Sequence, residues 1–102
     1  MQSSGIGLYI EFTARAGMRD ALAAHLLSAG ESYRREAGTH QFVVHLSPAS
    51  PDSVFVYERY ENEAAKSAHE AAEGYSAIRA TTGTFLAGAP KVSPLSVLGG
   101  KM

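Results

Sequence analysis

The chain has 102 residues, 45% of them hydrophobic and 19% charged, with a formal net charge of -1 and no cysteine. That length suits one domain able to bury roughly two thirds of its unfolded surface without covalent staples. The charge balance gives no electrostatic case for nucleic acid or an anionic membrane as a partner, and the missing cysteines exclude disulfides, thiolate nucleophiles and cysteine-type zinc sites.

Met1-Gln2-Ser3-Ser4-Gly5 has neither the basic nor the apolar region of a secretory signal. No run approaches the roughly 20 apolar residues that span a bilayer. A soluble, cytoplasmic protein is the expectation.

Leu8 to Thr13 alternates Leu8, Ile10 and Phe12 against Tyr9, Glu11 and Thr13, the period of a strand with one apolar face. Met18, Ala21, Leu22, His25, Leu26, Ala29 and Tyr33 then recur at helical spacing. This helix is expected to run to about Ala37 and to stop at Gly38 in a left-handed cap. Gly30 lies inside it at a cost of about 1 kcal/mol relative to alanine, consistent with a kink or a close contact.

Thr39 to Leu46 reads as a second strand and Val54 to Tyr60 as a third, joined by a turn-rich loop into a hairpin. A symmetric loop would set Leu46 opposite Val54, Val44 opposite Val56, Phe42 opposite Glu58 and His40 opposite Tyr60. Asn62 is a natural N-cap for the helix that follows, in which Ala65, Ala68, His69 and Ala72 form a stripe of small residues. Lys66, Glu70 and Glu73 are expected on its solvated side. Gly74 breaks this pattern. Tyr75, Ile78, Thr82, Phe85 and Leu86 predict another helical piece, and Lys91 to Leu98 a last strand that Pro94 confines to a sheet edge.

The order strand, helix, strand, strand, helix, strand predicts an α+β, ferredoxin-like βαββαβ domain with a four-stranded antiparallel sheet and helices on one face. It spans residues 1–102, with a core at about 8–98 and loose tails at 1–5 and 99–102. One sheet face (Leu8, Ile10, Phe12, Phe42, Val44, Val54, Val56) is the expected core. The other mixes Tyr9, Val43, Phe55 and Tyr57 with Glu11, Gln41, His45 and Arg59, too aromatic to leave in water, so a homodimer through that face is expected.

Two ionisable groups are expected to point inward. Glu58 shares a strand face with Val54, Val56 and Tyr60, and His69 lies on the alanine stripe. Such a pair is as readily a satisfied buried contact as a functional one. His25 reads as a helix-boundary residue, His45 as an interface residue, and Glu31, Arg34, Arg35 and Glu36 as a solvated, self-paired patch. No HxH or HExxH spacing occurs among the four histidines, so no metal site is expected.

Glu36-x-Gly38, Phe42-x-Val44, Tyr57-Glu58-x-Tyr60 and the spaced Asn62, Ala65 and His69 together resemble the antibiotic biosynthesis monooxygenase family of the dimeric α/β barrel group. The resemblance covers about Leu8 to Leu98. It implies a dimer through back-to-back sheets and oxidation of quinols or aromatic polyketides by dioxygen without a cofactor. Other branches degrade haem or isomerise a small phosphorylated signalling sugar derivative. This chain has no tryptophan, and Ile10 stands roughly where the haem branch has Asn, which argues against the haem-degrading and polyketide-oxidising branches.

Cofactor-free oxygenation needs an electron-rich enol or quinol, deprotonated in a water-poor pocket, that passes an electron directly to dioxygen. His69 is the expected base, oriented by Glu58. Tyr60 and His40 would hold substrate oxygens, and Phe12, Phe42 and Tyr75 would form an aromatic wall. Two alternatives remain: an isomerase of a small carbonyl compound using the same residues, and a stress-related module that binds an aromatic or haem-like ligand without turnover.

Overall fold

In the computed structural model, which describes residues 5–101, the apolar periods of the sequence become a four-stranded sheet with helices on one face. The elements are β1 (Ile6–Thr13), α1 (Arg19–Ser32), a 3-10 turn (Tyr33–Arg35), β2 (Thr39–His45), β3 (Ser53–Tyr60), α2 (Glu63–Ala71), α3 (Tyr75–Thr84) and β4 (Lys91–Ser96). The strands lie in the order β2-β3-β1-β4, every neighbouring pair antiparallel. This is the expected ferredoxin-like arrangement, and β4 with Pro94 is an edge strand. Among the described residues no helix is long and apolar enough to cross a membrane.

The core lies where the central strands meet α1. Ile10 and Phe12 of β1, Val54 and Val56 of β3, and Leu22 and Leu26 of α1 form one buried cluster, with Leu22, Val54 and Val56 fully sealed from solvent. Each such side chain contributes about 1.5–3 kcal/mol on burial. The β-branched Val54 and Val56 pack on the pleat of a strand with neighbours on both sides.

Several local expectations give way to packing. The register of β2 on β3 holds for Val44 with Val56 and Phe42 with Glu58, but Thr39, not His40, sits opposite Tyr60. His40 is the extra residue of a bulge between Thr39 and Gln41, so the face alternation is lost at that point. Pairing stops at His45, leaving Leu46 outside the strand.

The first helix also ends earlier than its periodicity predicts. After Ser32 the chain tightens into the 3-10 turn and then extends at Glu36, whose N–H donates to Tyr33 O. Three residues per turn in place of 3.6 rotates the residues beyond Ser32 relative to a continued α-helix. Glu36 thereby comes round to face α2. Gly38 does not adopt a left-handed conformation. It is required for close approach, because a Cβ at this position would stand 2.5 Å from the Cβ of Ala65. Gly30 behaves in the same way, with a Cβ position 2.9 Å from the Phe42 ring.

The Asn62 side chain accepts the Ala65 N–H at 2.9 Å, the N-cap read from the sequence. Its stripe is partly displaced: Ala65 and Ala72 are half-buried and His69 is buried, but Ala68 is exposed.

The contact between Gly38 and Ala65 makes a direct prediction. Gly38→Ala loses stability, and Ala65→Gly alone costs about 1 kcal/mol through helix propensity. The double variant clears the clash, so urea unfolding is expected to show it less destabilised than the sum of the two by at least about 0.5 kcal/mol. Simple additivity would contradict the packing described.

Candidate active site

The helix α3 leans on α1 and α2 more than on the sheet. The gap beneath is a cavity of about 610 Å³. Leu8, Ile10 and Phe12 of β1 form its floor, with Val92 and Pro94 of β4 and Ile78 of α3 as further apolar walls. The volume lies within the roughly 300–1,000 Å³ range of small-molecule sites.

His69, in the last turn of α2, is the polar centre of this cavity. It is 4% exposed, and its Nδ1 lies 2.7 Å from Glu36 Oε1. The same carboxylate oxygen accepts the Thr39 hydroxyl at 2.7 Å, so Glu36 is fixed from two sides. The Tyr33 ring meets the imidazole edge to face at 4.4 Å and Tyr75 does so at 5.1 Å, while Tyr60 lies tilted at 5.2 Å. His69 Nε2 has no hydrogen-bond partner. Because no buried side-chain nitrogen or oxygen among the described residues lacks a partner, this atom must keep access to the cavity. A neutral ring therefore donates Nδ1–H to Glu36 and turns the Nε2 lone pair toward whatever fills the space.

Glu58 stands on the sheet floor between Leu8 of β1 and Phe42 of β2. Burial between these apolar neighbours pushes its carboxyl above the ordinary value of 4.5, against the hydrogen bond from Tyr60 and the nearby His69, which act the other way. The Tyr60 hydroxyl donates to Glu58 Oε1. Burial first, then the charge of Glu58, raises the Tyr60 phenol. The same two causes lift Tyr33 to about 12. Both phenols therefore stay protonated near neutral pH, and that of Tyr60 is the donor to Glu58.

Of the residues expected at the site, His69, Glu58, Tyr60, Phe42, Phe12 and Tyr75 all line the cavity. His40 does not. The bulge leaves it exposed, on a separate cleft of about 460 Å³ between α1 and β2 with Gly30 and Arg34. The partner of His69 is also corrected: its hydrogen bond runs to Glu36, while Glu58 is bound to Tyr60. Tyr33 and Glu36 are the two site residues that sequence reasoning missed. Tyr33 lies on the apolar stripe of the first helix, whereas Glu36 reads in sequence as part of a solvated charge patch.

Two other readings also change or sharpen. Lys66 and Glu70 form an ion pair at 2.9 Å and also line the cavity, with Glu70 and Glu73 exposed as expected and Lys66 half-buried. His25 is half-buried, and its Nε2 lies 2.8 Å from Thr82 Oγ1, whose own proton goes to Ile78 O. Hence His25 donates and ties α1 to α3. Among the described residues no group of three or more His, Asp or Glu side chains converges as a metal site.

The raised carboxyl of Glu58 predicts a pH dependence of stability. A group whose folded pKa exceeds its unfolded value favours folding below the unfolded pKa, and that contribution is lost as pH rises through the folded pKa. Glu58→Gln retains an acceptor for Tyr60 without the charge. Its stability relative to wild type, from urea unfolding, is expected to rise as pH increases from the ordinary carboxyl value of 4.5 through the raised folded value. A flat or falling difference would contradict the burial of this carboxyl.

The profile of the antibiotic biosynthesis monooxygenase family matches residues 5–81. No curated protein sequence matches the chain. Among solved structures, Rv0793 of Mycobacterium tuberculosis is 25% identical with a TM-score of 0.85, over 97% of this chain and 100% of its own. A candidate antibiotic biosynthesis monooxygenase of Nitrosomonas europaea superimposes with a TM-score of 0.88 at 20% identity, over 96% of this chain and 94% of its own. Another from Chloroflexus aurantiacus gives 0.83 at 24% identity, over 97% and 98%. The latter two share the fold. With the profile extending from β1 into α3, through the turn that carries Glu36 and the helix that carries His69, the chain belongs to the antibiotic biosynthesis monooxygenase family.

Proposed function

We propose that the protein is a cofactor-independent monooxygenase that oxidises a quinol-like or polycyclic aromatic compound with dioxygen. One observation carries this reading: His69 is held by Glu36 at 2.7 Å while its Nε2 opens into a largely apolar cavity ringed by tyrosines. His69 takes the proton of a phenolic or enolic hydroxyl. Glu36 fixes the ring and stabilises the imidazolium that forms, as a carboxylate does in a hydrolase triad. The apolar walls keep the resulting anion poorly solvated, which favours transfer of an electron from it to dioxygen. Recombination forms the carbon–oxygen bond. Overall, the substrate loses two hydrogens and gains one oxygen atom, and the second oxygen leaves as water.

The outer sheet face supports a homodimer as the working form. Tyr9 stacks on Phe55 with centroids 6.0 Å apart and planes 15° from parallel, and Tyr9, Val43 and Leu95 are each more than 40% exposed. Neighbouring strands place these residues on one face. Light scattering is expected to give a dimer at micromolar concentration, and Tyr9→Asp a monomer. A monomeric wild type would remove the dimer from this account.

Oxygen uptake by metal-stripped protein, with anthrone and a panel of hydroquinones, tests the reaction. His69→Ala is expected to lose roughly 10²- to 10⁴-fold in rate, the usual worth of a general base. Glu36→Gln is expected to lose less, since the ring remains and only its orientation and charge partner change. Product formation without dioxygen consumption would instead identify an isomerase, and tight binding without any product a ligand-binding module.

A further inference from the structure

The reaction moves protons at more than one atom, at the substrate hydroxyl and at the peroxide, and the cavity contains a second proton group beside His69. Glu58 is 8% exposed and accepts the Tyr60 hydroxyl through Oε1. Its Oε2 makes no hydrogen bond and, by the same reasoning as for His69 Nε2, keeps contact with the cavity. Glu58 and His69 reach the same space from different layers, one from the sheet floor and one from α2. Both are therefore available to one bound substrate.

Resting on the oxygenase reading, we propose that Glu58 is a catalytic acid that protonates the peroxide formed when dioxygen joins the substrate. Its burial between Leu8 and Phe42 favours the neutral carboxyl from which such a proton comes.

The steps balance. His69 removes the acidic proton, from the enol hydroxyl or from the methylene carbon of the keto tautomer, the anion gives one electron to dioxygen, and the radical pair joins as a carbon-bound peroxo anion. Glu58 delivers its proton to the outer peroxide oxygen and becomes a carboxylate. That carboxylate then takes the hydrogen on the oxygenated carbon as the carbon–oxygen double bond forms and the oxygen–oxygen bond breaks. The departing hydroxide takes the proton held by His69 and leaves as water. Both side chains end as they began, with one dioxygen consumed and one water released.

Anthrone is the probe, first without air and then with it, on wild type, Glu58→Gln, Glu58→Asp and His69→Ala, each confirmed folded by circular dichroism. Without air, the absorption of the bound anion is expected in wild type and Glu58→Gln and absent in His69→Ala. With air, Glu58→Gln is expected to lose roughly 100-fold in kcat at unchanged KM, to release hydroperoxide or hydrogen peroxide, and to be partly restored by Asp. Wild-type turnover by Glu58→Gln without released peroxide overturns the assignment, as does loss of the anion band in that variant. A wild type that forms the anion but consumes no dioxygen overturns the oxygenase reading, and this step with it.

Discussion

The contact between Glu36 and His69 is the constraint on which the site depends. It joins the turn after α1 to the last turn of α2, two segments 33 residues apart in sequence. A single hydrogen bond in water is worth only about 1 kcal/mol net, but one between a carboxylate and a buried imidazole is among the stronger kind. Its larger effect is geometric. With Nδ1 committed to Glu36, the reactive lone pair has one direction left, and that direction is the cavity.

Several packing details exist to permit this contact. The 3-10 turn after Ser32 rotates Glu36 inward, Thr39 pins its carboxylate, and Gly38 lets the backbone come close enough to Ala65 for β2 and α2 to lie side by side. The Tyr33 ring then fills one side of the imidazole and touches Phe42 at 5.1 Å, linking the site to the sheet. Stability comes from elsewhere. Leu22, Val54 and Val56 lie in the sealed half of the molecule, where α1 covers the sheet, so the open half beneath α3 can hold a cavity and an unfavourably buried carboxyl.

The fold was legible because its signals are periodic. Alternation in β1 and β3, the N-cap at Asn62 and the edge-seeking Pro94 each specify local structure that packing then confirms. The inward placement of His69, Glu58, Tyr60, Phe12, Phe42 and Tyr75 followed from the same periods. What failed was phase. A one-residue bulge moved His40 out of the site, and a tightened turn moved Glu36 into it, and neither irregularity leaves a periodic trace in one sequence. Periodicity therefore points to Glu58, the acid that shares the cavity with His69, whereas the acid that reaches its Nδ1 is Glu36.

Nitrogen NMR of the His69 imidazole, in wild type and in Glu36→Gln, tests the central claim most directly. The account predicts that the neutral wild-type ring carries its proton on Nδ1, leaving Nε2 bare, and that Glu36→Gln weakens or reverses this preference. A neutral wild-type ring protonated on Nε2 would contradict it, since the atom facing the cavity could then take no proton from a substrate.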